Sequence, residues 1–415
     1  MNNFDVIVVG GGASGMLAAG RAAERGLRVL LIEKNKRLGE KLRITGGGRC
    51  NITNAEYDNR LLLKNYGTAE QFLYSLFAQY SVKDSIEFFE SRNLPLVIEA
   101  RKRAFPASHK ADDVVAVLEN YLKETGVTVV TGKGVHKVSI DKNKITSVLC
   151  GNDLYTATNF IFSTGSISHP ETGSTGDGFK WLKLAGHTIA EPTPDIVPLA
   201  TSTKWVKEIS GTTLSEVRTT FYCENVKQFI LNGAILCTHF GISGPLILNS
   251  ARKVADLLQQ GEVTATIDLY PKLDIGAMQR HLLALFDENK NKTLKNILGE
   301  LAPNGARKGV QIVLEGQIDT EKKVHSVSKD ERKLLAESLK AMPLSITGLM
   351  GFDRAVIADG GVDLKEIDFK TMRSRKLENL YVTGDLLHVN RPSGGYSLQL
   401  CWSTGYVAGN SVGRI

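Results

Sequence analysis

Residues 4–34 read FDVIVVGGGASGMLAAGRAAERGLRVLLIEK, and their pattern changes twice. An apolar run leads into a glycine turn, an alanine-rich segment follows with helical spacing, and a second apolar run ends at Glu33, so we predict a strand-helix-strand unit. The turn carries Gly10-x-Gly12-x-x-Gly15. In such a unit the first glycine permits the bend, the second lets the backbone approach a pyrophosphate, and the third lets helix and strand pack closely. The sequence therefore predicts a dinucleotide site, with a ligand-free glycine turn as the alternative.

Glu33 follows Gly15 by 18 residues, about where a ribose-binding acid is expected in this kind of unit. A carboxylate that accepts a ribose hydroxyl would also repel a 2′-phosphate. The alternative is an exposed acid at the end of a strand.

A second distinctive stretch, GEKLRITGGGRCNITN, covers residues 39–54. Residues 34–49 hold six cations against the single acid Glu40. These cations form either a solvated face or a field that attracts phosphate or an anionic substrate. Arg49 could lower the pKa of the Cys50 thiol, but the sequence places no resolving cysteine beside it. We interpret Cys50 as a small residue packed in a phosphate loop.

The chain contains no second dinucleotide fingerprint. The nearest candidate, Gly173-x-x-Gly176-x-Gly178, has different spacing and follows Pro170 instead of an apolar strand. A single site leaves NAD(P) as a co-substrate or FAD as a resident group. The basic loop favours FAD, because a pyrophosphate-bridged flavin needs more backbone and more positive charge than an NAD site supplies.

The composition sets limits on the class of protein. A length of 415 residues suggests two or three domains. No apolar run approaches the roughly 20 residues needed to cross a bilayer, and the first residues resemble a strand more than a signal peptide, so we expect a cytoplasmic protein with no membrane association. Five scattered cysteines without a C-x-x-C pair indicate neither a disulfide framework nor a metal site. The net charge of +7 comes without a recognisable nucleic-acid module, which disfavours nucleic acid as a partner.

Later segments add to the predicted site. Residues 111–126 have the pattern of a helix, and the three following segments, VTVVTG, GVHKVSI and ITSVLC, predict a β-meander. The next strand ends at Thr164 and Gly165, which either abut a nucleotide or form an ordinary turn. A further strand runs into Gly384 and Asp385, and Asp385 is a candidate acceptor for a ribityl hydroxyl.

The last predicted helix begins after the glycine pair Gly394-Gly395. Its free N–H groups would suit the N1 and C2 carbonyl region of a flavin, whose negative charge grows on reduction. Tyr396 either stacks near the ring or packs in the core.

These motifs resemble those of the bacterial flavoproteins known as NAD(P)/FAD-dependent oxidoreductases, which include aminoacetone oxidase and BaiN-like proteins. The resemblance covers nearly the whole chain, and its most specific motif is the triple-glycine Arg-Cys-Asn loop. The motifs that carry it are VVGGGASGMLAA, GEKLRITGGGRCNITN, RAFPASHKADDVV, STGSISHPETGSTGDGF, THFGISGPLIL, GGVDLKEIDFKTMRSR and GDLLHVNRPSGGYSLQLCWSTGYVAG.

The resemblance implies an α/β fold: a Rossmann-type, glutathione-reductase-like FAD-binding domain interrupted by a β-barrel domain that carries a helical subdomain. The residues agree, since a proline-rich boundary at 191–201 precedes strand-like segments and then a polar helical stretch. We predict the FAD-binding domain at 1–190 and 345–415, the barrel at 191–273 and 342–350, and the helical subdomain at 274–341. The predicted cofactor-binding residues are Gly10, Gly12, Ala13, Ser14, Gly15, Glu33, Lys34, Lys41, Thr45, Gly46, Gly47, Gly48, Arg49, Cys50, Asn51, Val135, Thr164, Gly165, Gly384, Asp385, Gly394, Gly395 and Tyr396.

One segment departs from the family pattern. Where the family has an acid-rich stretch before the glycine pair, this chain has residues 388–393, HVNRPS. If this loop faces the flavin, the local charge changes sign and a relative's substrate does not carry over directly.

Flavin chemistry requires the protein to hold the ring and supply protons. His388 and His239 are the candidate proton donors, because an imidazole titrates near neutrality; a hydrogen-bonded loop histidine and a core histidine are the respective alternatives. We expect an FAD-dependent oxidoreductase with non-covalent flavin, a small organic substrate, and NADH or NADPH as a candidate transient reductant. The alternatives are an oxygen-dependent oxidase of a small amine or aminoketone, and a flavin-binding regulatory or nucleic-acid-associated protein. The sequence leaves the oligomeric state open.

Overall fold

The computed structural model describes residues 3–303 and 305–414, which form two compact units. The first comprises Met1–Pro194 and Ala355–Ile415, and the second is Asp195–Arg354. The finer division into three domains stays a prediction. Among the described residues, no helix combines the length and apolar character needed to span a membrane.

The strands, in chain order, are β1 (Asn3–Val9), β2 (Val29–Ile32), β3 (Thr53–Asn54), β4 (Leu96–Glu99), β5 (Arg103–Pro106), β6 (Thr128–Val130), β7 (Val135–Asp141), β8 (Lys144–Cys150), β9 (Asp153–Phe162), β10 (Ile189–Asp195), β11 (Leu199–Thr201), β12 (Thr213–Cys223), β13 (Val226–Cys237), β14 (Gly241–Ser243), β15 (Val263–Asp268), β16 (Met342–Leu349), β17 (Ile357–Val362) and β18 (Leu380–Val382). The helices are α1 (Ala13–Glu24), α2 (Glu40–Gly48), α3 (Asn59–Leu63), α4 (Glu70–Gln79), α5 (Val82–Glu90), α6 (Ala111–Glu124), α7 (Asp177–Leu184), α8 (Lys204–Glu208), α9 (Pro245–Leu248), α10 (Ala251–Leu258), α11 (Ile275–Glu288), α12 (Leu294–Leu301), α13 (Arg307–Leu314), α14 (Lys329–Lys340) and α15 (Tyr396–Ser411).

The main sheet of the first unit has the order β6-β2-β1-β9-β8-β7, with β18 also paired to β9. Strand β1 runs parallel to both β2 and β9, so the predicted strand-helix-strand unit is confirmed. Residues 6–9 are all buried without alternation, as expected of a parallel strand covered on both faces.

The predicted β-meander needs correction. Strands β7, β8 and β9 pair antiparallel in sequence, but β6 pairs parallel with β2 instead. Because β6 follows helix α6, it enters the sheet through a crossover and not through a hairpin turn.

Helices α1 and α15 pack closely together through two glycines of α15. A Cβ on Gly405 would lie 2.4 Å from the carbonyl oxygen of Ser14, and one on Gly409 would lie 2.4 Å from that of Ala18. The missing side chains let the two backbones approach, which brings the last helix of the chain beside the predicted dinucleotide turn.

The second unit contains a closed barrel in the order β11-β14-β13-β12-β15-β16. Helices α11–α14 lie between β15 and β16 in sequence, within the stretch predicted to be helical. The segments VKQFILN and GAILCTHF, predicted as two strands, belong largely to the single strand β13, because its ladder with β12 continues through Gly233. The α/β fold, with a Rossmann-type unit and a barrel between its two chain segments, is confirmed.

Candidate functional site

The three glycines of the turn between β1 and α1 do not all have the same surroundings. Gly10 has φ +106°, and a Cβ there would lie 2.4 Å from the carbonyl oxygen of Ser163. A Cβ on Gly15 would lie only 1.9 Å from the carbonyl oxygen of Gly10, whereas a Cβ on Gly12 would meet no described protein atom within 4 Å. Gly10 and Gly15 are therefore required for close packing. Gly12, the N-cap residue of α1, borders open space at the N-terminus of that helix, and we call this space the phosphate cradle because a helix N-terminus suits a phosphate group.

Glu33 is buried behind this turn, with 8% of its surface exposed. Its carboxylate accepts hydrogen bonds from the backbone N–H of Gly11 at 2.7 Å and of Asn35 at 2.8 Å. Burial raises the pKa of Glu33, and these backbone hydrogen bonds oppose the shift. Glu33 therefore stabilises the glycine turn by accepting these hydrogen bonds, and it is not an exposed acid at the end of a strand. A hydrogen bond from a ribose hydroxyl to Glu33 stays a prediction.

Two other segments lie beside the end of β2. The Lys34 ammonium pairs with Asp177 at 2.9 Å, and a Cβ on Gly134 would lie 3.1 Å from the Cβ of Lys34. Val135 begins β7 directly after Gly134 and is buried. Lys34 and Val135 therefore lie near each other, and both are close to Glu33.

The segment after β9 holds hydroxyl groups without partners. The Thr164 and Ser166 hydroxyl oxygens are buried and make no hydrogen bond to the described residues. The neighbouring Ser163 hydroxyl is 2.7 Å from that of Thr383 on the adjacent segment. An unsatisfied buried hydroxyl costs roughly 1–3 kcal/mol, so this strand end fits a site that a polar ligand completes.

The triple-glycine loop is the C-terminal, kinked end of α2. Thr45 leaves the helical conformation, and Gly46, Gly47 and Gly48 have φ of +57°, +69° and +83°. Side chains at Gly47 and Gly48 would meet no described atom within 4 Å, so this backbone is accessible. Cys50 is fully buried, and burial raises the pKa of its thiol to about 12, which disfavours the reactive thiolate.

Arg49 and Asn51 extend from this loop to other parts of the unit. The Arg49 guanidinium pairs with Glu99 at 3.0 Å and lies 4.2 Å from the centre of the Phe105 ring. In the amide orientation that satisfies its neighbours, Asn51 accepts the Gly395 N–H at 3.0 Å. Asn51 therefore ties the loop to the N-terminus of α15, and the direct contacts of both residues with a cofactor stay predictions.

The basic field expected over residues 34–49 is largely neutralised by residues elsewhere in the unit and within the segment. Carboxylates pair with four of the cations: Lys34 with Asp177, Arg37 with Glu40, Arg43 with Asp112, and Arg49 with Glu99. Lys41 differs, since its ammonium donates to the Ser168 hydroxyl at 3.0 Å and forms no ion pair among the described residues. Burial lowers the pKa of Lys41, while Asp385 favours the charged form.

Helix α15 begins at a tightly built glycine pair. Gly395 has φ +103°, and a Cβ there would lie 2.3 Å from the carbonyl carbon of Thr53. The Tyr66 hydroxyl donates to the Tyr396 carbonyl at 2.9 Å. Its N-cap residue, Gly395, has no side chain that could cap the helix, and a helix N-terminus offers N–H groups to a ligand.

Arg391 also lies at this end of the helix, although it was not among the residues predicted to bind the cofactor. It is 3% exposed, and its guanidinium donates to the Val389 carbonyl at 2.6 Å, to the Ser397 hydroxyl at 3.1 Å, and to Asp385. The sequence indicated only that Arg391 is a cation within residues 388–393, the segment that departs from the family pattern.

The two candidate proton donors lie in different units, and each is described within its own. His388 is 43% exposed, and its Nε2 is 3.4 Å from an Asp359 carboxylate oxygen. His239 is exposed, with its ring edge-on to Phe240 at 4.9 Å between centroids. Their catalytic roles stay predictions.

The model of the HI0933-like protein Rossmann domain family matches residues 4–411. The chain belongs to this family. It is an FAD-dependent oxidoreductase family. The open face of Gly12, the buried hydroxyls of Thr164 and Ser166 and the N-terminus of α15 are chemically suited to the phosphates, sugar hydroxyls and ring carbonyls of FAD, and their contacts with it stay predictions.

Two curated relatives match over 98% of this chain and 98% of their own lengths, each at 28% identity. One is the 3-dehydro-bile acid Δ(4,6)-reductase of Clostridium scindens, and the other is the ribosomal RNA dihydrouridine synthase of Haemophilus influenzae. Among solved structures, the 3-ketosteroid Δ4-(5α)-dehydrogenase of Rhodococcus jostii matches with a TM-score of 0.56 at 14% identity, covering 100% of this chain and 97% of that one. This last likeness concerns the fold alone.

Proposed function

We propose that the protein uses FAD to reduce a carbon–carbon double bond conjugated to a carbonyl group, with NADH or NADPH as the reductant. The observation that carries this proposal is the full-length match to two relatives whose names describe reductions of that kind. A 3-oxo steroid Δ4,6-diene and the uracil ring of uridine share one feature, a C=C bond in conjugation with a C=O group. The shared chemistry, and not either named molecule, is what we transfer to this chain.

The first unit supplies the groups that would hold the cofactor. The N-terminus of α1 and the open face of Gly12 would bind the pyrophosphate, with Glu33 at the ribose. The first N–H groups of α15 would face the N1 and C2 carbonyl region of the ring. When bound there, FAD supplies the hydride for the reaction.

The protein must also supply a proton. Hydride addition at the β-carbon leaves negative charge on the conjugated carbonyl system, and a proton must reach the α-carbon to give the saturated product. An imidazole is suited to this transfer. His388 is the first candidate, because it follows the Gly384-Asp385 segment in the unit that holds the cofactor site, and His239 is the second. The reduced nicotinamide is oxidised in the same cycle, so the electrons balance.

A uracil base in RNA is a second candidate substrate. It is favoured by two exposed cations, Arg101 in the turn between β4 and β5 and Lys110 nearby in sequence. Such cations bind phosphate without reading sequence. The amine-oxidase alternative has no support among the two curated relatives described above.

Anaerobic flavin spectroscopy tests the proposal. We expect purified protein to be yellow, NADH or NADPH to bleach it, and a 4-en-3-one steroid or uridine-containing ribosomal RNA to restore the oxidised spectrum. Identification of the saturated product by mass spectrometry completes the test.

Three outcomes would contradict separate parts of it. Failure to take up FAD contradicts the cofactor site, and reduction by dithionite but by neither nicotinamide contradicts the reductant. A reduced protein that oxygen reoxidises, but that no conjugated carbonyl compound reoxidises, contradicts the substrate class.

A further inference from the structure

A buried group of charges lies at the N-terminus of α15, and we call Lys41, Asp385, Arg391 and Cys401 the α15 charge cluster. The side chains of Arg391 and Asp385 are 2% and 18% exposed and form an ion pair. Asp385, Arg391 and Cys401 all act electrostatically on the Lys41 ammonium, so the four groups lie within electrostatic range of one another. Burial raises the pKa of Cys401, so the thiol stays neutral.

The cluster therefore contains two cations and one carboxylate. A further carboxylate, that of Glu171, also acts on Lys41, but its side chain is 58% exposed and its charge is screened by water. A buried cation without a full counter-charge is costly, by several kcal/mol in general. The N-terminus of α15 adds the positive end of a 16-residue helix. Arg391 bonds directly to Ser397 in the first turn of that helix. The local field is positive, and it favours an anion at this helix end.

The cluster also lies beside the dinucleotide turn. A Cβ on Gly384 would be 2.7 Å from the Ser14 hydroxyl in the first turn of α1, and 3.5 Å from the Cys401 sulfur. Two regions of FAD therefore compete as the counter-charge: the pyrophosphate, which is charged in both redox states, and the flavin ring, which gains negative charge only on reduction.

We propose that Arg391 and Lys41 stabilise the reduced, anionic flavin over the oxidised flavin and so set the reduction potential of this protein. The direct link of Arg391 to the first turn of α15 favours the ring over the pyrophosphate, because that turn would supply the N–H groups for the N1 and C2 carbonyl region. The inference rests on FAD binding at α15, as in the function proposed above, and is independent of the substrate.

The midpoint potential of the FAD-loaded protein, measured against reference dyes without substrate, tests the inference. Removing a cation, in Arg391→Met or Lys41→Met, should weaken the binding of reduced FAD about tenfold more than that of oxidised FAD. For a two-electron couple this lowers the potential by about 30 mV. Asp385→Asn removes the carboxylate, so the potential should rise.

The double variant Asp385→Asn/Arg391→Met keeps the net charge of the cluster but loses its ion pair. Its potential should return to near the wild-type value. If the substitutions instead damaged the structure, both single variants would shift the potential in the same direction, and the double variant would shift it further that way. Arg391→Lys should preserve the potential better than Arg391→Met. Arg28→Met is the matched control, since Arg28 forms an exposed ion pair with Asp5, and its potential should not change.

Equal loss of affinity for oxidised and reduced FAD in Arg391→Met and Lys41→Met would overturn the inference and assign the cluster to the pyrophosphate. Shifts of the same sign in Asp385→Asn and Arg391→Met would also overturn it. Both results would leave the proposed reduction of conjugated double bonds untouched, since no substrate enters the measurement.

Discussion

Replacing Gly405 with alanine tests whether the contact between α1 and α15 holds the cofactor unit together. The new Cβ would lie 2.4 Å from the Ser14 carbonyl oxygen and 3.1 Å from the Ser14 carbonyl carbon. The first distance is about 1 Å short of ordinary contact. Both neighbours are backbone atoms, which cannot rotate away, so the helices must separate.

The expected cost follows from two opposing terms. Overpacking of a filled interior costs about 1–3 kcal/mol, and alanine in place of glycine in a helix returns about 1 kcal/mol. We expect a net loss of about 0–2 kcal/mol in the free energy of unfolding, measured by urea titration of the apoprotein. FAD affinity should fall as well, because Ser14 belongs to the first turn of α1.

Gly276→Ala is the control for helix propensity. Gly276 lies in the first turn of α11, where a Cβ would meet only the side chains of Asp274 and Arg280, at 3.4 and 3.5 Å. This variant should be stabilised by up to about 1 kcal/mol. If Gly405→Ala were stabilised to the same extent, the proposed close packing of α1 and α15 would be wrong.

Three further predictions follow from the site and its surroundings. Gly12→Ala should weaken FAD binding at least about tenfold, because the backbone there must approach the pyrophosphate. The stability of the apoprotein should not change, since the new Cβ meets no described protein atom within 4 Å. Equal FAD affinity of variant and wild type, measured by titration, would contradict the phosphate site at Gly12. Cys50→Ser should keep both FAD and turnover, since burial raises the pKa of this thiol to about 12, and a variant with bound FAD but no turnover would show a chemical role. Burial lowers the pKa of His187 below 6.5. As the pH drops, the unfolded chain therefore takes up this proton before the folded chain does, and the free energy of unfolding should fall below about pH 6.5. Urea titrations from pH 5.5 to 7.5 should show a weaker pH dependence of that free energy in His187→Gln than in the wild type, and equal pH dependence in the two proteins would refute the prediction.

The sequence predicted what depends on neighbours along the chain. The tasks of Gly10, Gly12 and Gly15 follow from one turn, and the structure confirms the strand-helix-strand unit around it. The extent of β13 was missed because a glycine within a strand resembles a turn until its partner strand is known.

Contacts between distant residues could not be predicted in the same way. The field expected from residues 34–49 is reduced by Asp112 and Glu99, whose positions depend on the tertiary fold. His187 bonds to Glu366 at 2.9 Å and to the Ser374 hydroxyl at 2.8 Å across 179 and 187 residues. No local pattern indicates such a network, and the same holds for the burial of Arg391.

The contact of α1 with α15 also has a consequence for synthesis on the ribosome. Helix α1 emerges well before α15, because Gly405, on the face that packs on it, is translated 391 residues after Ser14. At ordinary elongation rates the delay is roughly 20–80 s. During that interval the nascent chain exposes the apolar surface that α15 later covers, and the donors at the start of α15 are not yet made. Stable capture of FAD should therefore wait until α15 has emerged, and chaperones have this interval in which to protect the half-built unit.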